Sequence, residues 1–217
     1  IHSHLEQYGL VTEGDLIARA DRVRQPILPG LPADSRQVLR IIVLSRVTLG
    51  ADVAITSVII ERLKHRFPAA EIVLLGGSKT SELFGADPRL RFKEIVYRRA
   101  GTTVERLLAW IDLVRCLQEL IAGLKLGEYL VVDPDSRLTQ LGLLPVSRPG
   151  EPAVEYLETG YLFFPSREYG DETSRSLSEL TSLWLDDLLG ESMASYPSIT
   201  LRTSDIGIAV NLVKGMR

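Results

Sequence analysis

The segment 38–67 constrains the fold of this chain more than any other stretch. It begins with a short aliphatic run at 38–44, which is typical of a strand buried on both faces of a parallel sheet. A polar loop is predicted at 45–52, followed by a helix that Pro68 ends. The helix pattern places Val53, Ile55, Val58, Ile59, Leu63 and Phe67 on an apolar face and Glu61, Arg62, Lys64 and His65 on a polar face. A strand, a glycine-containing loop and a helix form the first half of a βαβ unit.

Strand and helix patterns alternate along the rest of the chain. Further strands are predicted at 71–75, 92–97, 129–132, 161–164 and 206–210, and helices at 79–84, 102–122 and 176–189, after two short helical pieces within 1–24. This alternation predicts an α/β fold with a Rossmann-like, doubly wound parallel sheet. The polar alternation of the third strand predicts a position near an edge of the sheet. Thr102 or Thr103 is expected to cap the longest helix, and Ser78 the helix at 79–84.

The composition excludes some classes of protein and partner. The 217 residues carry a formal net charge of -3, which gives no electrostatic basis for binding nucleic acid. The single cysteine, Cys116, excludes an internal disulfide and allows a cytoplasmic location. No apolar run in the sequence reaches the ~18 residues of a membrane span. The chain begins at Ile1 without a methionine, and we expect it to be part of a longer polypeptide.

The first predicted loop reads SRVTLGAD and is a candidate site, because ligands of open α/β sheets bind beyond the carboxyl ends of the strands. It lacks the GxxxxGK[ST] spacing of a Walker A loop and the GxGxxG spacing of a dinucleotide site. It offers hydroxyls from Ser45 and Thr48, a cation from Arg46 and a tight turn at Gly50. Asp52 stands at the predicted start of the helix. It is either an N-cap or a general base for a sugar hydroxyl, with a pKa lowered by the helix N-terminus.

A second polar cluster follows the predicted strand at 129–132. It contains Asp133, Asp135, Ser136 and Arg137. One interpretation is structural, with Asp135 or Ser136 capping a short helix and Arg137 making a surface ion pair. The functional interpretation places the cluster beside the first loop as a substrate-binding surface, where Arg137 holds a phosphate or a carboxylate in a bidentate fork. This second interpretation requires the two strands to be neighbours.

Two segments resemble a known family. The sequence LRIIVLSRVTLGADVAITSVIIERLKHRFPAAEIVLLGGSKTSELF resembles the opening of the glycosyltransferase family that contains the ADP-heptose:lipopolysaccharide heptosyltransferases. The later sequence YLVVDPDSRLTQLGLLP resembles the strand and D-x-x-x-R segment of the same family. The resemblance covers 38–145 and extends more weakly to Val210. In the family Gly stands directly before the Asp of the first loop, whereas Ala51 separates the two residues here.

The resemblance implies a GT-B architecture of two facing Rossmann-like domains. Residues 1–37 are then an N-terminal helical extension and linker, 38–200 the acceptor-side domain, and 201–217 the start of a donor-binding domain. The resemblance also implies an inverting transfer that needs neither a metal nor a cofactor, with Asp52 as the base. Lys214 and Arg217 are expected to face the phosphates of the donor.

The partners implied by the resemblance are a nucleotide-sugar donor and a saccharide or lipid-linked acceptor. The expected location is the cytoplasm, which allows peripheral contact with the inner face of the membrane. A different function also fits the residues, namely a non-catalytic Rossmann-like module that binds a phosphorylated sugar or a partner protein. The sequence leaves the oligomeric state open.

Overall fold

The computed structural model describes residues 3, 6, 9–24, 37–96, 102–139, 160–166 and 175–215. Its centre is a parallel sheet whose strands are β1 (Arg40–Leu44), β2 (Glu71–Gly76), β3 (Leu90–Glu94), β4 (Tyr129–Asp133) and β5 (Tyr161–Phe163). The strands lie in the order β3-β2-β1-β4-β5, and all neighbouring pairs are parallel. The predicted α/β fold with a Rossmann-like, doubly wound sheet is confirmed. The third strand lies at an edge, as predicted.

Helices connect and flank the strands. They are α1 (Glu13–Arg24), α2 (Ser57–Arg66), α3 (Ser78–Phe84), α4 (Thr103–Ile121), α5 (Leu177–Leu189) and α6 (Thr203–Gly215). A helical turn at Leu49–Ala51 and a π-helical turn at Asp52–Thr56 precede α2 without a break, and a short 3-10 turn at Arg137–Thr139 follows β4. Among the helices of the described residues, none combines the length and the hydropathy that a membrane crossing requires. Within the predicted N-terminal extension, residues 25–36 of the linker lie outside the described residues.

The order of the strands reverses between β1 and β4. The chain moves outward from β1 to β2 and β3, and then returns to the other side of β1 with β4 and β5. The connections that follow β1 and β4 therefore run in opposite directions. Open α/β sheets bind ligands at such a reversal, beyond the carboxyl ends of the strands. Val43 of β1 pairs with Val132 of β4, so the loops after these two strands start side by side.

Alternate residues of the strands contribute to two apolar cores, one on each face of the sheet. On one face, Ile42 and Val131 pack in a cluster with Trp110 and Leu117 of α4. The cluster on the other face contains residues of β1, α2 and α5, among them Ile41, Val43, Ile59, Leu63, Trp184 and Leu185. Burial on both faces explains why the strands read as nearly continuous aliphatic runs.

Two helices begin with capping boxes. Thr102 Oγ1 accepts a hydrogen bond from the backbone N–H of Glu105, and the Glu105 carboxylate accepts one from the N–H of Thr102. Ser176 and Glu179 make the same reciprocal pair at the start of α5. The prediction of Thr102 as a cap is confirmed. The prediction for Ser78 is wrong, because this residue lies inside α3, which has no side-chain cap.

The predicted sixth strand at 206–210 is also wrong, because these residues lie in the middle of α6. Ile206, Val210 and Val213 recur at helical spacing, and Asp205 in the first turn complements the helix dipole. The β-branched residues favour a strand locally, but a strand needs a neighbour for its backbone hydrogen bonds. The described sheet offers none to this segment, and the residues of α6 are exposed.

Arg62 lies on the polar face that the helix pattern predicts, yet its side chain is fully buried. Its guanidinium donates to Asp186 Oδ1 at 2.5 Å and to the carbonyl oxygens of Met193 and Glu191 at 2.6 and 2.8 Å. The residue therefore joins α2 to α5 and to the segment that follows α5. The helix pattern places Arg62 on a polar, solvent-exposed face. The structure corrects this, because its hydrogen-bond partners are distant in the sequence.

Candidate functional site

The loops after β1 and β4 meet at the carboxyl edge of the sheet. Arg46 reaches from the first loop to the second, where its Nη1 donates to the carbonyl oxygen of Pro134 at 2.7 Å and to Asp135 Oδ2 at 3.2 Å. In the opposite direction, Ser136 Oγ donates to the carbonyl oxygen of Ser45. The structure therefore brings the two clusters that the sequence singles out together at the point where the strand order reverses.

Ser166, which follows β5, completes a group that we call the edge cluster: Arg46, Asp135 and Ser166. Its Oγ accepts a hydrogen bond from Arg46 Nη1 at 3.0 Å and donates one to Asp135 Oδ2 at 2.7 Å. The side chains of Arg46 and Asp135 are 18% and 35% exposed. Asp135 has a φ of 57°, a left-handed conformation that Asp and Asn adopt more readily than most residues. The edge cluster thus joins the ends of three neighbouring strands and is partly open to solvent.

A second group, which we call the buried network, consists of Ser45, Asp52, Thr56 and Thr80. Asp52 Oδ2 accepts hydrogen bonds from Ser45 Oγ at 2.8 Å and from Thr80 Oγ1 at 3.4 Å. Asp52 Oδ1 accepts hydrogen bonds from Thr56 Oγ1 at 2.8 Å and from the backbone N–H of Arg46 at 2.7 Å. All four donors are uncharged groups. Hydrogen bonds therefore stabilise the carboxylate, and none of these four groups acts as a counter-ion.

The structure corrects the predicted position and pKa of Asp52. The helix begins at Leu49, so the predicted loop ends early and Asp52 lies inside the helix with 1% of its surface exposed. The N-cap position belongs to Thr48, whose side chain makes no capping hydrogen bond. Burial raises the pKa of Asp52 above its ordinary value, and the hydrogen bonds oppose this rise without cancelling it. The predicted lowering by the helix N-terminus is therefore wrong, because desolvation exceeds it.

The turn between β1 and the helix depends on Val47 and not on Gly50. Val47 has a φ of 66°, in the left-handed region that β-branched residues rarely adopt, and its N–H donates to Ser45 Oγ at 2.9 Å. Gly50 lies in the first helical turn with open space where a Cβ would stand. The predicted tight turn at Gly50 is therefore wrong. A strained residue directly after Arg46 is a feature that is common in functional loops.

Asp133, the last residue of β4, is fully buried. Its Oδ1 accepts a hydrogen bond from the N–H of Ser136 at 2.6 Å, and its Oδ2 accepts hydrogen bonds from the hydroxyls of Thr139 and Tyr161. Burial raises the pKa of Asp133 to about 6, the hydrogen bonds oppose the rise, and the charge of Asp135 adds to it. Asp133 and Ser136, both predicted to bind substrate, therefore shape the loop that presents Asp135.

The remaining predicted residues lie apart from these two groups. Arg137 is exposed on the 3-10 turn after β4, at the carboxyl edge of the sheet. Lys214 lies near the end of the exposed α6, and Arg217 lies outside the described residues. Within the residues that the structure describes, no group of three or more His, Cys, Asp or Glu side chains could hold a metal ion.

Three members of the two groups are not among the residues that the sequence predicts for the site: Thr56, Thr80 and Ser166. Thr56 follows Asp52 by four residues on the same helix, a spacing that places the two side chains side by side. Thr80 and Ser166 follow β2 and β5, so the rule that ligand-binding residues follow the strands would have found both if applied to all strands.

Gly76, at the end of β2, is a further residue that the sequence does not reveal as part of the site. A Cβ at this position would lie 2.8 Å from Thr80 Cβ and 2.9 Å from Ser45 Cβ. Both distances are below normal contact, so a side chain would push two members of the buried network apart. Only glycine allows this close approach.

Comparisons with protein families, with curated proteins and with solved structures found no match. The fold and the site together define the class of the molecule. It is an α/β protein with a Rossmann-like sheet and two polar loops at the reversal of its strand order.

Proposed function

We propose that this protein is an inverting glycosyltransferase of the heptosyltransferase type and that its acceptor binds at the carboxyl edge between β1 and β4. The observation that carries the proposal is the contact between the two loops, in which Arg46 binds Asp135 and the Pro134 carbonyl at the reversal of the strand order. The resemblance of 38–145 to this family supports the same site, because each resembling segment supplies one of the loops. The chain is then the acceptor-side part of a GT-B architecture.

In the proposed reaction, Asp52 Oδ1 removes the proton of an acceptor hydroxyl while the hydroxyl oxygen attacks the anomeric carbon of a nucleotide sugar. The glycosidic bond forms as the bond from the anomeric carbon to the diphosphate oxygen breaks, with inversion at that carbon. The raised pKa of Asp52 supports this role, because a base works best with a pKa close to the operating pH. Lys214 and Arg217 are proposed to offset the charge of the leaving diphosphate.

The carboxylate must become accessible before it can act, since only 1% of Asp52 is exposed. The N–H of Arg46 covers Oδ1, so a movement of the turn at 46–48 withdraws this donor and uncovers Oδ1, while Ser45 and Thr80 continue to hold Oδ2. Val47 lies in this turn, and its left-handed conformation stores about 1–3 kcal/mol that the movement would release. The proposal therefore includes a displacement of this turn when the acceptor binds.

Asp52→Asn tests the base, because the buried network can accept an amide. The amide oxygen keeps the bonds from the Arg46 N–H and Thr56, and the amide nitrogen donates to Ser45 Oγ. The proton of Ser45 then turns to Thr80 Oγ1, which is 3.0 Å away. We expect D52N to retain its fold and to lose transfer by about 10²–10⁴-fold, the usual contribution of a general base.

The donor for this assay comes from a thermal-shift screen of nucleotide sugars on the intact protein. A donor at ~100-fold excess over its dissociation constant stabilises a binding-competent protein by about 2.7 kcal/mol. Thr56→Val is the matched control, because it removes one hydrogen bond to Asp52 and leaves the carboxylate in place. Turnover should change little in T56V, and unchanged turnover in D52N would remove Asp52 from the mechanism.

A second function, a non-catalytic module that binds a phosphorylated sugar or a partner protein, is favoured by the enclosure of Asp52. A carboxylate that accepts four hydrogen bonds inside the protein serves well as a structural link between its helix and the loop after β1. A ligand that stabilises the wild type and D52N equally, with turnover in neither, would select this function over transfer.

A further inference from the structure

The ion pair in the edge cluster is loose. Arg46 Nη1 and Asp135 Oδ2 make a single contact of 3.2 Å, at the long end of the hydrogen-bond range, whereas the buried pair of Arg62 and Asp186 is 2.5 Å apart. Among the described residues, the hydrogen bonds of the Arg46 guanidinium all come from Nη1, and its buried Nε has no partner. The described residues thus hold the guanidinium in place but use only part of its capacity as a donor.

The Asp135 carboxylate occupies the position next to the Arg46 guanidinium at which an external anion would bind. Both side chains are partly exposed, so the pair can be reached from solvent. The Pro134 carbonyl and Ser166 Oγ also bind Nη1, and they would keep the guanidinium oriented if the carboxylate moved away. Arg137 is exposed on the same loop, two residues after Asp135, and adds a second positive charge to this edge.

We propose that this edge is a phosphoryl-binding site in which the ligand's oxygens displace the Asp135 carboxylate from Arg46. One anion replaces another, and no covalent bond forms or breaks. A phosphoryl group fits better than a carboxylate, because its several oxygens can accept from a guanidinium and from neighbouring donors such as Ser166 and Arg137 at once. The internal carboxylate lowers the affinity for all anions and thereby selects the more highly charged ones. The inference rests on the proposed function, because it describes the ligand of the same edge.

Asp135→Asn is the variant that tests the displacement. Asn tolerates the left-handed backbone at this position and keeps a polar contact with Ser166, while it removes the negative charge. Binding of inorganic phosphate to the full chain is measured by isothermal titration calorimetry. We expect D135N to bind phosphate about three- to tenfold more tightly than the wild type, as the loss of a partly exposed competing carboxylate allows. Arg46→Gln should abolish the binding.

Asp112→Asn is the matched control. Asp112 pairs with Arg115 on α4, and the two side chains are 72% and 60% exposed, so D112N makes the same change in net charge and also releases an arginine. Its phosphate affinity should equal that of the wild type. An affinity in D135N that is equal to or below the wild-type value, or an unchanged affinity in R46Q, would overturn the proposal.

Two further outcomes bear on the same proposal. Acetate that binds D135N as tightly as phosphate would overturn the phosphoryl assignment, and so would the absence of phosphate binding in both D135N and the wild type. These failures are distinguishable from a failure of the proposed function, because transfer is tested separately in D52N. A protein that transfers sugar but binds no phosphate contradicts this inference alone.

Discussion

Two buried charges lie on the same run of helix, Asp52 near its start and Arg62 near its end, and their surroundings differ. Asp52 accepts hydrogen bonds from uncharged donors and keeps a raised pKa. Arg62 is paired with the Asp186 carboxylate and with two carbonyl oxygens. Arg62 therefore joins two helices, whereas Asp52, which has no ion-pair partner among the described residues, keeps a raised pKa at the carboxyl edge, where we propose that ligands bind. Arg62 is thus a charge that stabilises the fold, whereas the surroundings of Asp52 suit a residue that transfers a proton.

The largest expected effect, on the free energy of unfolding, comes from removing the buried guanidinium of Arg62. Arg62→Met keeps most of the side-chain volume but removes the charged donor from the Asp186 carboxylate and from two carbonyl groups. Removal of one partner of a buried pair costs about 3–5 kcal/mol, and we expect a loss of this size in the free energy of unfolding. Urea denaturation monitored by circular dichroism measures it.

Arg91→Met is the control for this prediction. Arg91 pairs with Glu71 at the edge of the sheet, and its side chain is 68% exposed. A pair of this kind contributes about 0–1 kcal/mol. If R62M loses no more stability than R91M, the structural half of the comparison is wrong.

The next effect depends on pH and concerns the carboxyl edge. The pKa of Asp133 is 3.8 ordinarily and about 6 in the folded protein, where burial favours the protonated form. Its contribution to stability is therefore fully present below about pH 4 and is lost as the pH rises through about 6. Asp133→Asn cannot ionise, so its stability relative to the wild type should rise by about 2 kcal/mol between pH 4 and pH 7.

Unfolding of D133N and the wild type at matched pH values checks this prediction. In D133N the Thr139 hydroxyl can turn its proton to the Ser136 carbonyl oxygen, 2.9 Å away, whereas the Tyr161 hydroxyl loses the carboxylate oxygen that accepts from it. The informative quantity is therefore the change of the stability difference with pH and not its size at one pH. A difference in the free energy of unfolding that stays constant across this range would show that Asp133 is not the titrating group.

The smallest effect tests how the buried network is packed. Gly76→Ala places a methyl group against Thr80 and Ser45, and overpacking of this kind costs about 1–3 kcal/mol. Gly50→Ala is its matched control, because it adds the same methyl group to a helix at a position with open space. It should stabilise the protein by about 0.5–1 kcal/mol. Equal thermal stability of G76A and G50A would show that the close approach at Gly76 is not needed.

Much of the fold can be predicted from local patterns in the sequence. The aliphatic runs of β1 and β4 indicate buried parallel strands, and the carboxyl-end rule then places Arg46 and Asp135 at one edge. The burial of Arg62 has no such local signal, because its partner Asp186 is 124 residues away. Local β propensity at 206–210 points to a strand, yet the described sheet has no neighbour for it.

The chemistry of the site is harder to predict than its position. For Asp52 the local sequence indicates only the helix dipole, which lowers the pKa. The structure adds desolvation by tertiary packing, which raises it, and a hydrogen bond from Thr80 that is 28 residues away. Asp133 shows the same limit, since Tyr161 also binds it from 28 residues away. Local sequence indicates which residues reach the edge, but packing decides their exposure and their pKa.

Amide chemical-shift mapping by NMR tests the central claim most directly. The isotope-labelled protein is titrated with a sugar phosphate, which represents a phosphorylated acceptor and not the nucleotide-sugar donor. If the ligand binds at the carboxyl edge between β1 and β4, the largest shifts will fall on Arg46, Val47, Asp135, Arg137 and Ser166. The amides of Arg62 and Arg91 will stay unchanged. Shifts confined to β3, to α6 or to the surroundings of Arg62, with the edge cluster unaffected, would contradict the account.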